Sequence, residues 1–194
     1  MRLMMTLCAL LFSISSFAAD SKVTGTDDVV LVGMNTSVGY IELELNKTKA
    51  PISVANFLSY VNSGHYNGTV FHRIIKDFMV QGGGFGADMR QKATQPAIKN
   101  EADNGLKNNR GTIAMARSAE INSATSQFYF NVTDNAAALG QTGNEYAVFG
   151  KLTQGLTVLD AIGNSDTGPS VIAGNPLASR PLVDIVLQSV TQTQ

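Results

Sequence analysis

The residue type most able to do chemistry in this chain is an arginine placed inside an apolar, strand-like segment. Arg73 lies in the run 69–75, where two-residue alternation would put it on one face with Phe71 and Ile75. Burying a cation among apolar side chains is costly unless the cation faces a cleft or a partner. The chemistry available to such a residue is electrostatic: a fixed positive charge presented to whatever occupies the cleft.

In two further apolar segments, a polar residue lies two positions from another candidate residue, which is the spacing of one strand face. Met79 and Gln81 share a face of one predicted strand, and Gln127 and Tyr129 share a face of another. Together with Arg73 they could line one groove that is half apolar and half polar. The alternative is that Arg73 lies at the rim of a barrel and that both glutamines are ordinary surface residues.

Other kinds of active site find little support. The sequence has neither a Gly-x-Ser-x-Gly elbow nor a His-Glu-x-x-His motif, and the glycine-rich segment 82–86 lacks the lysine of a phosphate loop. One cysteine and two histidines, His65 and His72, leave little for a metal centre, and we interpret both histidines as structural. A net charge of −1 gives no reason to expect nucleic acid or an anionic membrane as a partner.

The elements that must position these residues are mostly short strands. One helix is predicted after Pro51, where apolar residues recur every three or four positions and Gly64 follows the last of them, and a second over 155–162. Seven or eight strands with two helices predict a mainly β protein, a closed or nearly closed antiparallel barrel plugged by helices at its ends. The predicted strands cover 29–32, 39–45, 69–75, 79–82, 111–115, 128–132, 147–151 and 182–190.

The N-terminus has the composition of a secretory signal peptide. Arg2 precedes a short apolar stretch over 3–12, and small residues at positions 16 and 18 suit cleavage near Ala18 or Ala19. The stretch is too short to span a membrane, which takes about 20 apolar residues. We therefore predict a signal peptide over 1–18, a flexible leader over 19–28 and a short tail over 191–194. The periplasm is the expected compartment, with secretion beyond the cell as the alternative.

Four ordered segments resemble the signature blocks of the cyclophilin family of peptidyl-prolyl cis–trans isomerases, and their spacing is most similar to that of bacterial exported members. The first block is Phe-His-Arg-Ile-Ile-Lys-Asp-Phe-Met-Val-Gln-Gly-Gly over 71–83; the others lie at 111–117, 126–129 and 146–151. The resemblance implies an isomerase domain over 29–190, folded as an eight-stranded antiparallel barrel capped by two helices.

The resemblance also implies roles for individual residues. Arg73 and Gln81 would be the catalytic pair, and the remaining site residues would bind substrate, a proline-containing peptide segment of an exported protein. Those substrate-binding residues would be Phe78, Met79, Ala116, Arg117, Gln127, Tyr129, Leu139 and Tyr146. The family needs neither metal nor cofactor, and we expect a monomer that neither binds nucleic acid nor inserts into a membrane.

Three departures from the family pattern bear on this hypothesis. Tyr129 stands where phenylalanine is usual, and Tyr146 replaces the histidine of eukaryotic members. Ala138 occupies a position where many members have tryptophan or phenylalanine, so we expect weak binding of cyclosporin. Two other functions remain open at this point: a peptide-binding chaperone with incidental isomerase activity, and an interaction protein that uses the barrel as a scaffold.

Overall fold

A computed structural model describes residues 29–140, 145–169 and 179–194 of the chain. These residues form an eight-stranded antiparallel sheet, a two-stranded ribbon and three helices. The strands are β1 (Val29–Thr36), β2 (Gly39–Asn46), β3 (Arg73–Ile75), β4 (Met79–Gly82), β5 (Thr112–Met115), β6 (Phe128–Asn131), β7 (Val148–Gln154), β8 (Thr167–Pro169), β9 (Ser179–Pro181) and β10 (Leu187–Gln192). The helices are α1 (Pro51–Asn62), α2 (Ala136–Leu139) and α3 (Leu156–Gly163).

The large sheet runs in the order β10-β1-β2-β7-β5-β6-β4-β3. Its two end strands do not form a ladder with each other. The chain just before β3 instead meets the start of β10 through an isolated bridge, Val70 to Val186. Backbone hydrogen bonds flank this bridge, from the Phe71 amide to the Ile185 carbonyl at 3.0 Å and from the Leu187 amide to the Thr69 carbonyl at 2.8 Å. The predicted mainly β, eight-stranded antiparallel architecture is confirmed, but the sheet is less completely closed than predicted.

Alternation along β2 shows why the strand predicted over 39–45 is found there. Ile41, Leu43 and Leu45 are fully buried, while Glu42 and Glu44 between them are partly exposed. With the inward residues of β1 and β6 they enter one large cluster, here called the barrel core. Burial of one face fixes the strand register, because a shift by one residue would turn these three apolar side chains to solvent.

Helix α1 begins at Pro51, a residue suited to the first turn because its missing N–H has no partner there in any case. Its own N-cap, Ala50, offers no side-chain acceptor. The carboxylate of Glu101 takes that place, accepting the Ile52 amide at 3.0 Å and the Ser53 amide at 2.7 Å. A buried acid from a distant loop therefore stabilises the positive end of the helix.

Several boundaries differ from the predicted ones. Regular pairing of β3 begins only at Arg73, so Phe71 does not share a face with it but packs in the barrel core against Phe128 and Phe130. The last strand begins at Leu187 rather than at 182. It also reaches Gln192, and the Thr193 amide donates to Leu31 O at 2.9 Å, so the predicted tail pairs with β1.

Two further elements were not predicted from the sequence: the four-residue helix α2 and the β8–β9 ribbon. The predicted signal peptide and leader lie outside the described residues. Among the helices that the structure describes, none has the length and apolar character needed to cross a membrane.

A second, smaller apolar cluster lies on the opposite face of the sheet from the barrel core. It contains Met79, Ala114, Tyr129, Leu139 and Val148, and is here called the outer cluster. Partly buried Phe78 and Tyr146 pack against it. Neighbouring residues of one strand thus belong to different clusters. Of the six apolar residues predicted to bind substrate, three belong to the outer cluster, and Phe78, Ala116 and Tyr146 pack against it.

Candidate active site

The site is built across three adjacent strands. In the β3–β4 ladder Arg73 lies opposite Gln81, and in the β4–β6 ladder Gln81 lies opposite Tyr129. These three residues therefore form a row across the sheet. Val80 and Phe128, which precede Gln81 and Tyr129 along the chain, point into the barrel core instead. Strand alternation alone separates this row of candidate site residues from the core.

The row opens into a cavity of about 100 Å³. Nine of the ten predicted site residues line it. They are Arg73, Phe78, Met79, Gln81, Ala116, Arg117, Tyr129, Leu139 and Tyr146. The tenth, Gln127, adjoins the cavity through a 2.8 Å hydrogen bond that it accepts from Gln81 Nε2. The structure thus brings all the predicted residues together at one place.

A chain of side-chain hydrogen bonds holds the arginine. Arg73 Nη1 donates to Gln81 Oε1 at 3.3 Å, and Gln81 Nε2 donates to Gln127 Oε1. Gly84 makes room for this arrangement, because a Cβ there would lie 2.6 Å from Gln127 Cγ. Arg73 Nε is buried and has no hydrogen-bond partner among the described residues. Gln81 therefore fixes the guanidinium on one side, and the Nε–H group of Arg73 can still donate a further hydrogen bond.

The Arg73 side chain is half-buried. Burial lowers the pKa of its guanidinium from the ordinary value, an effect that the nearby Tyr146 partly opposes. Arginine nevertheless remains charged at neutral pH because its unperturbed pKa lies near 12.5 or above. The cavity thus has a fixed cation in surroundings where electrostatic interactions are stronger than in water.

Another wall of the cavity is formed by an arginine stacked on a tyrosine. The guanidinium carbon of Arg117 lies 4.6 Å from the centre of the Tyr146 ring, within the range of a cation–π contact. Arg117 Nε donates to the Glu145 carbonyl and Nη1 donates to the Ser118 carbonyl, each at 3.0 Å. These contacts hold Tyr146 edge-on to Tyr129, with ring centres 5.7 Å apart.

The family model described as "Cyclophilin type peptidyl-prolyl cis-trans isomerase/CLD" matches residues 31–192. The chain belongs to the cyclophilin family. It is 53% identical over 178 residues to peptidyl-prolyl cis-trans isomerase A of Dickeya dadantii, covering 91% of this chain and 90% of that protein. It is 44% identical over 168 residues to peptidyl-prolyl cis-trans isomerase B of Escherichia coli, covering 84% of this chain and all of that protein.

Solved structures agree with this assignment. The crystal structure of a cyclophilin-type peptidyl-prolyl cis-trans isomerase of Cryptosporidium parvum superposes with a TM-score of 0.69 at 25% identity, over 86% of this chain and 98% of that one. A second crystal structure of that protein, in the presence of the dipeptide Ala-Pro, gives a TM-score of 0.68 at 26% identity, over 84% and 99% of the two chains.

Sequence reasoning missed one part of this cyclophilin site. Three buried asparagines, Asn108, Asn131 and Asn135, lie behind the outer cluster, and Asn108 Oδ1 accepts the Tyr129 hydroxyl at 2.7 Å. Asn108 and Asn135 occur in asparagine-rich segments that look like ordinary turns, and Asn131 occurs in a predicted strand. The one available signal was Tyr129 itself, because a buried hydroxyl requires a hydrogen-bond partner.

Proposed function

We propose that this cyclophilin accelerates cis–trans interconversion of Xaa–Pro peptide bonds by non-covalent, electrostatic stabilisation of the twisted amide. The observation that carries the proposal is the Arg73 guanidinium, held by Gln81 beside a small cavity with apolar walls. That combination suits a substrate with an apolar ring next to an amide nitrogen.

The size of the cavity agrees with such a substrate. Its volume of about 100 Å³ is well below the roughly 300–1,000 Å³ of typical small-molecule pockets. Phe78, Met79, Tyr129 and Leu139 supply apolar and aromatic surface on several sides. A single proline ring is the kind of group that these walls would surround, while the rest of the peptide lay across the surface.

The chemistry required is rotation without bond cleavage. The barrier of roughly 18–20 kcal/mol arises because amide resonance stiffens the C–N bond. When the bond twists, resonance is lost and the proline nitrogen gains a lone pair that can accept a hydrogen bond. Arg73 would donate to that lone pair. Since the planar amide has no such acceptor, the interaction strengthens only in the transition state, which is the condition for catalysis.

The test is a cis-to-trans rate on a short Xaa-Pro peptide for the wild type, Arg73→Ala and Arg73→Lys. We expect Arg73→Ala to lower kcat/KM by about 10²- to 10³-fold, the usual loss when one preorganised transition-state donor is removed. Arg73→Lys should recover only part of this, because an ammonium group lacks the fixed planar fork. The matched control is Arg90→Ala, which removes an arginine whose side chain is 89% exposed.

The outcomes separate the proposal from its rivals. A wild type that binds the peptide yet barely exceeds the uncatalysed rate would favour a peptide-binding chaperone or scaffold. An Arg73→Ala variant that is folded and fully active would refute the electrostatic mechanism while leaving the isomerase activity in place.

We propose further that the substrates are exported proteins in the periplasm. The support is the sequence of residues 1–18, with Arg2, the apolar stretch 3–12 and small residues before Ala19. Cleavage after Ala18 would remove Arg2 and Cys8, leaving 13 basic against 15 acidic residues, a net charge of −2, and no thiol. N-terminal sequencing of the protein recovered from a periplasmic extract tests this. An intact Met1 in a cytoplasmic fraction would contradict it.

A further inference from the structure

Three asparagine side chains form a buried network behind the apolar walls of the cavity. Asn108, Asn131 and Asn135 are 3%, 0% and 5% exposed. Asn131 Nδ2 donates to Asn108 Oδ1 at 3.1 Å, and Asn135 Nδ2 donates to Asn131 Oδ1 at 2.8 Å. Buried amides are costly unless they are bonded. We call these three residues the asparagine network.

The network reaches Tyr129 and Tyr146 through Asn108. Both lone pairs of Asn108 Oδ1 are used, one by Asn131 and the other by the Tyr129 hydroxyl at 2.7 Å. Asn108 Nδ2 donates to the Tyr146 carbonyl at 3.4 Å. The hydroxyl that distinguishes Tyr129 from phenylalanine is therefore bonded inside the protein and is not presented to the substrate.

The network reaches Phe78 and Leu139 through Asn135. Its side-chain Nδ2 donates to the Phe78 carbonyl at 2.8 Å, and its backbone carbonyl accepts the Leu139 amide at 2.9 Å. Phe78 belongs to the β3–β4 turn, Leu139 ends α2, and Tyr129 and Tyr146 belong to β6 and to the segment before β7. Four separate segments that supply walls of the cavity are thus joined by two asparagines.

We propose that Asn108 and Asn135 are positioning residues that set the width of the proline pocket, and so its selectivity for a five-membered ring. The inference rests on the proposed function. The walls contact the ring of the planar and of the twisted substrate alike, so loosening them weakens both states equally. Such a change raises KM and leaves kcat nearly constant, in contrast to removal of Arg73.

The experiment compares the wild type, Asn108→Ala, Tyr129→Phe and Asn56→Ala on peptides with proline and with pipecolic acid, its six-membered homologue. Asn56 is the matched control: it is 8% exposed, and its amide donates at 2.7 Å to the Thr125 carbonyl, away from the network. We expect Asn108→Ala to raise KM for the proline peptide about 10-fold, which corresponds to a loss of about 1.4 kcal/mol of binding free energy. The kcat of the variant should stay within about twofold of the wild-type value.

The expected signature is a reduced preference for proline over pipecolic acid in Asn108→Ala and, more weakly, in Tyr129→Phe, but not in Asn56→Ala. Tyr129→Phe removes one hydroxyl and keeps the ring, so it tests the inference even if Asn108→Ala does not fold. An unchanged preference in folded Asn108→Ala and Tyr129→Phe, or an equal change in Asn56→Ala, would overturn it.

The wild-type rate separates this inference from the proposed function. If the wild type is active and the network variants match it, only the inference fails. If the wild type is inactive, the proposed function fails, and NMR titration of the same two peptides still measures whether Asn108→Ala loosens discrimination between the rings.

Discussion

The stability of this cyclophilin should fall between pH 7 and pH 5 because of one buried histidine. His72 is 2% exposed and packs against Phe85, with ring centres 4.7 Å apart. Burial, aided by the charge of Arg73, lowers its pKa from 6.5 to about 4. Between these values the unfolded chain binds a proton that the folded chain does not, so acid favours unfolding. The stabilisation is complete above about pH 6.5 and is lost as the pH falls toward 4.

The size of the effect follows from the two pKa values. At about 1.4 kcal/mol per pKa unit, a fall from 6.5 to about 4 corresponds to a total loss of about 3 kcal/mol. Roughly 2 kcal/mol of this stability is lost between pH 7 and pH 5. This interval lies above the pH range in which unperturbed carboxylates titrate, so the loss belongs to the histidine. A typical domain has only about 5–15 kcal/mol of stability, so the change is measurable.

The assay is urea unfolding of the wild type and His72→Phe at pH 7, 6 and 5. Phenylalanine retains a ring of similar shape but cannot be protonated. The wild type should lose about 2 kcal/mol more than the variant over this interval. His65, whose pKa burial also lowers, is present in both proteins, so its contribution cancels in the comparison. Identical pH slopes, or an NMR titration of His72 with a midpoint above 6, would refute the reasoning.

Three other predictions each concern a single residue. Gly84→Ala should displace Gln127, because a Cβ would lie 2.6 Å from its Cγ. Losing one hydrogen bond in this way should reduce kcat/KM about 3- to 10-fold, and the reduction should vanish in a Gln127→Ala background. Glu101→Gln should lower the free energy of unfolding by about 2 kcal/mol, because the carboxylate accepts two amides at the start of α1, whereas exposed Glu120→Gln should change it little in urea titrations. Cyclosporin should inhibit weakly, since exposed Ala138 offers only a methyl group. A nanomolar inhibition constant would contradict this, and Ala138→Trp should tighten inhibition.

Local patterns were enough to predict most of the strands that position the site. The bounds of β4 were predicted from its composition. Those of β2 were predicted to within one residue, because its alternation matches two-residue periodicity. The same alternation predicted that Met79 and Gln81 share a face of one strand and that Gln127 and Tyr129 share a face of another. These predictions need only the residues of a single strand.

Contacts between distant segments could not be predicted in this way. Phe71 precedes the point where β3 begins to pair, so its direction is set by the barrel core rather than by strand alternation. Asn108 becomes a buried hub only because Tyr129 and Asn131, more than 20 positions away, approach it. Glu101 caps a helix that begins 50 residues earlier. Each depends on tertiary contacts that a short segment of sequence does not specify.

The geometry of the candidate active site is a consequence of burial on the other side of the same strands. Met79 and Gln81 flank Val80, which is fully buried in the barrel core. A register shift of one residue would turn Val80 outward and the Gln81 side chain into the core, so burial of the core face opposes any such shift. Arg73 lies opposite Gln81 in the ladder, and its position is therefore fixed by the same register. Electrostatic catalysis depends on donors that are already in place when charge or a lone pair develops. In this protein the apolar packing inside the barrel fixes the positions of Arg73, Gln81 and Tyr129 outside it, as the proposed electrostatic mechanism requires.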